Sequence, residues 1–420
     1  MNHPSVPRLS RRSFLGGTAG LLAAGALGGR ELVGNAPKAR AASAPALYKS
    51  GNLVRKHLAA TDGWASMPPD AKADPPFFPD ALAPSPFNTY VFGFRDVTGL
   101  TDDQVVAQRG KAQISAPLMA FDEGDDIYIT LSNLGLKIRP DLVDGHTLHW
   151  HGFNNAIPLF DGVPELSIAV PIGRDFTYFF RPHDPGTYMY HCHFEDVEHV
   201  QMGMTGLVYV RPKQNTGQFG QPAGLYAYND GDGSTRYDVE YPIFLSEIWS
   251  AAHYRDAHIQ VNDWTDYDPS FWLMNGRAYP DTTQPAGGGQ DANGNLIAPA
   301  GLDRLQYQPH TSLIKANSGQ RVLLRMANLG YQNHSITCDG IDLTIVGKDT
   351  GLLANLEKDG SLTKNYIVTN SVDIGPGESR DVIFTAGAPG TYLLYDRAYA
   401  YGNNGGGSGY GGQMTKIVIS

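Results

Sequence analysis

Two short stretches of the chain concentrate side chains that bind soft metals. HTLHWHG carries His146, His149 and His151, and GTYMYHCHFEDVEHVQMGM carries His191, Cys192, His193, His199, Met202 and Met204. His149 and His151 are two residues apart, as are His191 and His193, so on a strand each pair shares one face while Cys192 points to the other. Such a strand presents a thiolate to one site and imidazoles to a second site behind it. A thiolate, two imidazoles and a weak thioether form the blue-copper donor set, with Cys192, His199 and His146 in a trigonal plane and Met204 axial. Met202 is the competing thioether. Zinc also accepts Cys and His, but zinc gives no reason for further imidazoles behind the thiolate. Copper is therefore the expected cofactor, with a second copper site at His149, His151, His191 and His193.

These residues need strands to position them, and the composition supplies strands and turns. The 420 residues include 49 Gly, 28 Pro and 22 Tyr, and long amphipathic helical periodicity is scarce. A net charge of −10 argues against a nucleic-acid partner. With only Cys192 and Cys338, a disulfide framework is excluded. The chain also repeats itself. GDDIYITLSNLG (124–135) matches GQRVLLRMANLG (319–330), and GRDFTYFFRPHDPGTYMYHCH (173–193) matches GESRDVIFTAGAPGTYLLYDR (377–397). The fold class is all-β, with two tandem Greek-key β-barrel domains. The sequence divides into an extended Pro-rich arm at 42–86, a metal-binding domain at 87–212, a linker at 213–236 and a second domain at 237–420. Ahead of these, SRRSFLGG and a Gly/Ala-rich apolar stretch read as a twin-arginine signal over 1–41, too short and weakly apolar for a stable membrane span. The expected destination is the periplasm or the extracellular space.

The segment HWHGFNNAIPLFDGVPELSIAVPIG and the His-Cys-His segment resemble those of multicopper oxidases, the laccases and their relatives. The resemblance covers about Phe87 to the C-terminus and is weaker in the second domain. It implies two tandem cupredoxin-like domains and a copper-dependent oxidoreductase. Carried over by residue, it makes His146, Cys192, His199 and Met204 type 1 ligands, His149 a type 2 ligand, and His151, His191 and His193 type 3 ligands. It implies a small-molecule or metal-ion electron donor, dioxygen as acceptor, and a homotrimer. The second domain departs from the pattern. HSITCDG keeps His334 at the place of His146 but has Thr337 and Asp339 for His149 and His151, and Tyr395-Asp396-Arg397 replaces His191-Cys192-His193. His253, His258 and His310 read as surface or loop histidines. Three functions follow: a laccase-like oxidase, a copper enzyme of nitrite-reductase type, and a non-enzymatic electron carrier. Glu195, Asp196 and Glu198 read as a solvated acidic loop.

Overall fold

The computed structural model describes residues 51–69, 76–155, 157–398, 401–404 and 409–420. The twin-arginine segment lies outside these residues.

The first barrel is built from β1 (Leu53–Ala65), β2 (Thr89–Asp96), β3 (Met119–Asp122), β4 (Asp126–Asn133), β5 (His149–His151), β6 (Asp175–Phe180), β7 (Gly186–His191) and β8 (Thr205–Arg211). They form two sheets, ordered β2-β1-β4-β6 and β3-β8-β7-β5. Phe92, Phe94, Ile129 and Tyr178 from the first sheet share one core with Phe121, Trp150, Tyr190 and Val208 from the second. Two short helices, α1 (Asp102–Val106) and α2 (Asp196–Met202), lie in its connections.

β1 corrects the expectation of a surface arm. It runs antiparallel to β2 and parallel to β4, and it is buried from Leu58 onward. A strand covered on both faces shows no alternation of apolar and polar residues. Here the buried set includes Thr61 and Asp62, which disguise it further. Asp62 is satisfied by the Lys137 and Ile138 N–H groups and the Tyr90 hydroxyl. Beyond β1, Met67 and Phe78 pack with Ile248, Phe271 and Leu273, so this segment joins the two barrels. The expected linker is likewise packed: Gln214, Tyr226, Ala227 and Tyr228 are buried.

The second barrel comprises β9 (Val239–Ile248), β10 (Phe271–Met274), β11 (Ile314–Ala316), β12 (Arg321–Asn328), β13 (His334–Cys338) and β14 (Leu343–Lys348). The short strands β15 (Gly351–Leu352), β16 (Ala354–Leu356), β17 (Leu362–Lys364) and β18 (Ile367–Thr369) follow. It closes with β19 (Ser371–Ile374), β20 (Ser379–Thr385), β21 (Gly390–Asp396) and β22 (Met414–Ile419). Its sheets contain the runs β10-β9-β12-β20 and β11-β22-β21-β13, the same order as the first barrel's two sheets, with β14 to β19 inserted between β13 and β20. Helix α3 (Ser250–Ala257) follows β9. The Asn-Leu-Gly ends of the repeat do the same work twice: Asn133 Oδ1 accepts the Gly135 N–H, and Asn328 Oδ1 accepts the Gly330 N–H, each at 2.8 Å.

Candidate metal centre

β5 and β7 pair antiparallel, with His149 opposite His191 and Trp150 opposite Tyr190. Trp150 and Tyr190 point into the core and the histidines point away from it. Cys192, one residue past β7, is buried on the core side. His146 reaches it from the segment before β5, where its N–H and C=O both pair with Val170. His199 comes from α2. Its Nδ1 is 3.2 Å from Cys192 Sγ, and His146 Nδ1 is 3.8 Å from the same sulfur. The three donor atoms lie within 4.8 Å of one another. Met204 is fixed alongside, because its carbonyl accepts the Cys192 N–H at 3.1 Å. Met202 is buried in the same core. The Thr147 N–H donates to Cys192 Sγ at 3.4 Å, and the Thr147 hydroxyl accepts the His193 N–H at 2.8 Å, so one residue holds both sides of the His-Cys-His segment.

The electrostatics favour a thiolate. Burial pushes the Cys192 thiol up, but the His199 and His146 imidazoles outweigh it and hold it well below its ordinary range. Burial likewise opposes charge on His199, yet the Cys192 thiolate and the Asp144 carboxylate raise it to about 10. His146 is lowered, chiefly by burial. The metal-free pocket thus favours a thiolate–imidazolium pair, and a bound cation would replace the imidazolium proton. His199 Nε2 faces Asp144 Oδ2 at 3.7 Å, and neither buried atom has a hydrogen-bond partner.

On the opposite side, His149, His151 and His191 bring their nitrogens within 4.8 Å of one another. The His193 ring joins them, 5.1 Å from that of His149 and 5.4 Å from that of His191. The His149 Nδ1–H donates to the Asp161 carbonyl at 2.6 Å and the His191 Nδ1–H to the Cys192 carbonyl at 2.8 Å. Both Nε2 lone pairs are left free, as metal-bound imidazoles require. Burial first, and then the neighbouring imidazoles, lower His191 to about 3. His149 and His151 are lowered by the same causes. Three imidazoles held neutral by burial, with the His193 ring beside them, suit a metal. A second-barrel glycine closes on this cluster: a Cβ on Gly377 would lie 3.1 Å from His151 Nε2.

Two multicopper oxidase family models match the chain, one over residues 98–215 and the other over residues 239–415. The chain belongs to the multicopper oxidase family. Laccase-3 of Botryotinia fuckeliana is 26% identical over 64% of this chain and 47% of its own length. Laccase 1 of Metarhizium acridum is 35% identical over 39% of this chain and 23% of its own. The chain thus spans half or less of these curated relatives. A blue copper oxidase from Nitrosomonas europaea shares the fold, with a TM-score of 0.59 and 23% identity, covering 88% of this chain and 86% of that one. So does a copper nitrite reductase from the same organism, with a TM-score of 0.54 and 16% identity over 88% and 94% of the chains.

The eight residues expected to be ligands all lie on the first barrel. At the equivalent pole of the second barrel, Thr337 lies opposite Tyr395, the register that His149 and His191 have in the first. The Asp396 N–H donates to the Gln413 carbonyl at 2.9 Å, as the Cys192 N–H does to Met204. Asp396 therefore stands at the place of Cys192, and Gln413 at that of Met204. His334, at the place of His146, has Nδ1 2.8 Å from Asp396 Oδ2 and Nε2 2.8 Å from Glu247 Oε1. A histidine–carboxylate triad fills the position that the Cys192 site has in the first barrel. Tyr395 donates to Asp339 at the exposed rim.

Sequence reasoning missed three contributors: Asp144, Glu247 and His253. His253, read as a surface or loop residue, is buried, with its two ring nitrogens on the Tyr90 and Gln201 carbonyls. His258 is half-buried against Asp80 at 3.0 Å. No H-x-H spacing or strand alternation marks these residues, because each is recruited from a different element.

Proposed function

We propose that this protein is an exported copper oxidoreductase. It takes single electrons from a small donor at the Cys192 site and passes them through His191-Cys192-His193 to the histidine cluster, where dioxygen is the acceptor. One observation carries this reading: the thiolate and the imidazole cluster sit back to back on one strand end, and the His191 ring bonds the Cys192 carbonyl. Copper, when bound, supplies a one-electron acceptor on the thiolate side and oxygen-binding capacity on the imidazole side. The chain's own part is to keep water from Cys192, to hold the two faces in fixed register, and to leave His149 and His191 with free Nε2 atoms.

Asp144 and Glu195 bring carboxylate oxygens within 4.8 Å of a His199 ring nitrogen, which favours a cationic or metal-ion donor over an anionic one. Export rests on the twin-arginine motif Ser10 to Gly17. Among the described residues, no helix is long and apolar enough to cross a membrane. A homotrimer is supported by Ile157, Leu159, Leu166, Ile168 and Ile172. These are exposed along the segment around Asp161, the His149 partner, and are apolar side chains that a neighbouring copy would cover.

A second reading, an electron carrier, is favoured by Thr337 and Tyr395 standing where the second barrel would need histidines. Copper content combined with oxygen uptake decides between them. The assays use a phenolic dye, then ferrous or manganous ion, and separately nitrite with a reduced electron donor. Three or four coppers with oxygen uptake support the oxidase. Two coppers with nitrite turnover support the reductase, and one copper with neither activity supports the carrier.

A further inference from the structure

The helix that carries His199 leans on the second half of the chain. The Gln201 side-chain amide donates to the Glu247 carbonyl at 3.2 Å, and His253 Nε2 lies 3.2 Å from the Gln201 carbonyl. The Tyr331 hydroxyl donates to the Val197 carbonyl at 2.5 Å, two residues before His199. Tyr331 is itself held from behind. Its N–H donates to Glu247 Oε2 at 2.6 Å, and the Tyr267 hydroxyl donates to the same oxygen at 2.8 Å. The other Glu247 oxygen meets His334, and His334 meets Asp396. Gly330 makes this approach feasible, since a Cβ there would sit 2.2 Å from Glu247 Oε1.

The side chains of Glu247, His334 and Asp396 are all at most 1% exposed. Desolvating such charges opposes folding, and well-packed apolar residues in their place are often neutral or stabilising. A structural purpose alone therefore explains them poorly. Among the groups that Glu247 holds, Tyr331 is the one whose hydroxyl ends on α2.

We propose that Asp396, His334, Glu247 and Tyr331 form a positioning relay that, with His253, fixes helix α2 so that His199 stays on Cys192. The second barrel's equivalent of the metal position thereby tunes the first barrel's centre. This rests on the blue-copper reading above. Groups that orient a metal ligand from outside affect metal affinity by about 10–100-fold, which is the scale of effect expected.

The test uses the full copper-loaded chain and the variants Tyr331→Phe, Glu247→Gln and His334→Gln. Tyr392→Phe, which removes a remote second-barrel bond to the Ala388 carbonyl, serves as control. Four readouts are compared: the thiolate-to-copper band, the copper hyperfine splitting, the reduction potential and the rate of copper loss to a chelator. Tyr331→Phe should shift the band and the potential and speed copper loss about tenfold. Glu247→Gln should exceed it, and Tyr392→Phe should match the parent. Parental band, hyperfine splitting and potential in Tyr331→Phe would overturn the relay, even if the melting temperature fell. Should the triad variants fail to fold, Tyr331→Phe still decides, because it deletes one hydroxyl and leaves the triad intact. A parent protein with no blue band would instead defeat the copper assignment itself.

Discussion

The two barrels treat the same pole in opposite ways. In the first, His146 faces a thiolate, and the nearest charged partner of that thiolate is a second imidazole, His199. In the second, His334 is gripped at both nitrogens by carboxylates. The backbone is shared down to the hydrogen bond from residue 192 or 396 to residue 204 or 413. What differs is donor softness. Sulfur with imidazole selects copper, whereas a carboxylate on each imidazole nitrogen selects a proton. A cupredoxin-like pole can thus hold a metal or a buried ion triad with little change of backbone.

The comparison can be broken most sharply at the thiolate. Cys192→Ser should abolish the red thiolate-to-copper band entirely while Cys338→Ser leaves it, because Cys338 lies in the second-barrel core. Visible absorption of copper-loaded protein checks this, and colour retained in Cys192→Ser would remove the first half of the comparison. Next in size is the imidazole face. His149→Ala/His193→Ala should lower the copper bound per chain by at least one. An unchanged metal count would show that this face, like its counterpart, holds no metal.

On the other side, Asp396→Asn leaves His334 with one carboxylate in a buried site. It should destabilise the chain by about 3 kcal/mol, the low end for a broken buried pair. Urea unfolding measures it, and a loss below ~1 kcal/mol, the range of exposed pairs, would mean that the triad is not a charged unit.

The smallest effect is a difference of sign with pH in metal-free protein. Burial lowers His334, but Asp396 and Glu247 outweigh it and leave its folded-state pKa raised. Its contribution is fully present below the unfolded value of about 6.5 and fades as pH rises through the folded-state value. His191, lowered to about 3, does the reverse, and its neutrality destabilises the fold progressively from pH ~6.5 down to 3. His334→Gln should therefore weaken the fold most below pH ~6.5, and His191→Gln should relieve acid lability over that same range. Parallel stability–pH curves for the two variants would erase the contrast.

The residue order alone determined which side chains share a face. Period-two spacing places His149 with His151 and sets Cys192 against His191 and His193, whatever surrounds the strands. The internal repeat was equally readable, because Asn133 and Asn328 need the same neighbours to close the same turn. Tertiary structure alone decided the rest. β1 is covered on both faces, so it carries no alternation to read. His146 and Cys192 meet across 46 residues, and Glu247 and His334 across 87. Local sequence cannot encode contacts between residues so far apart, since they exist only once two sheets have closed over a common core. His253 shows the limit most clearly. Nothing beside it in the chain marks it as buried, and only the docking of α3 places its ring against the loop that bears His199.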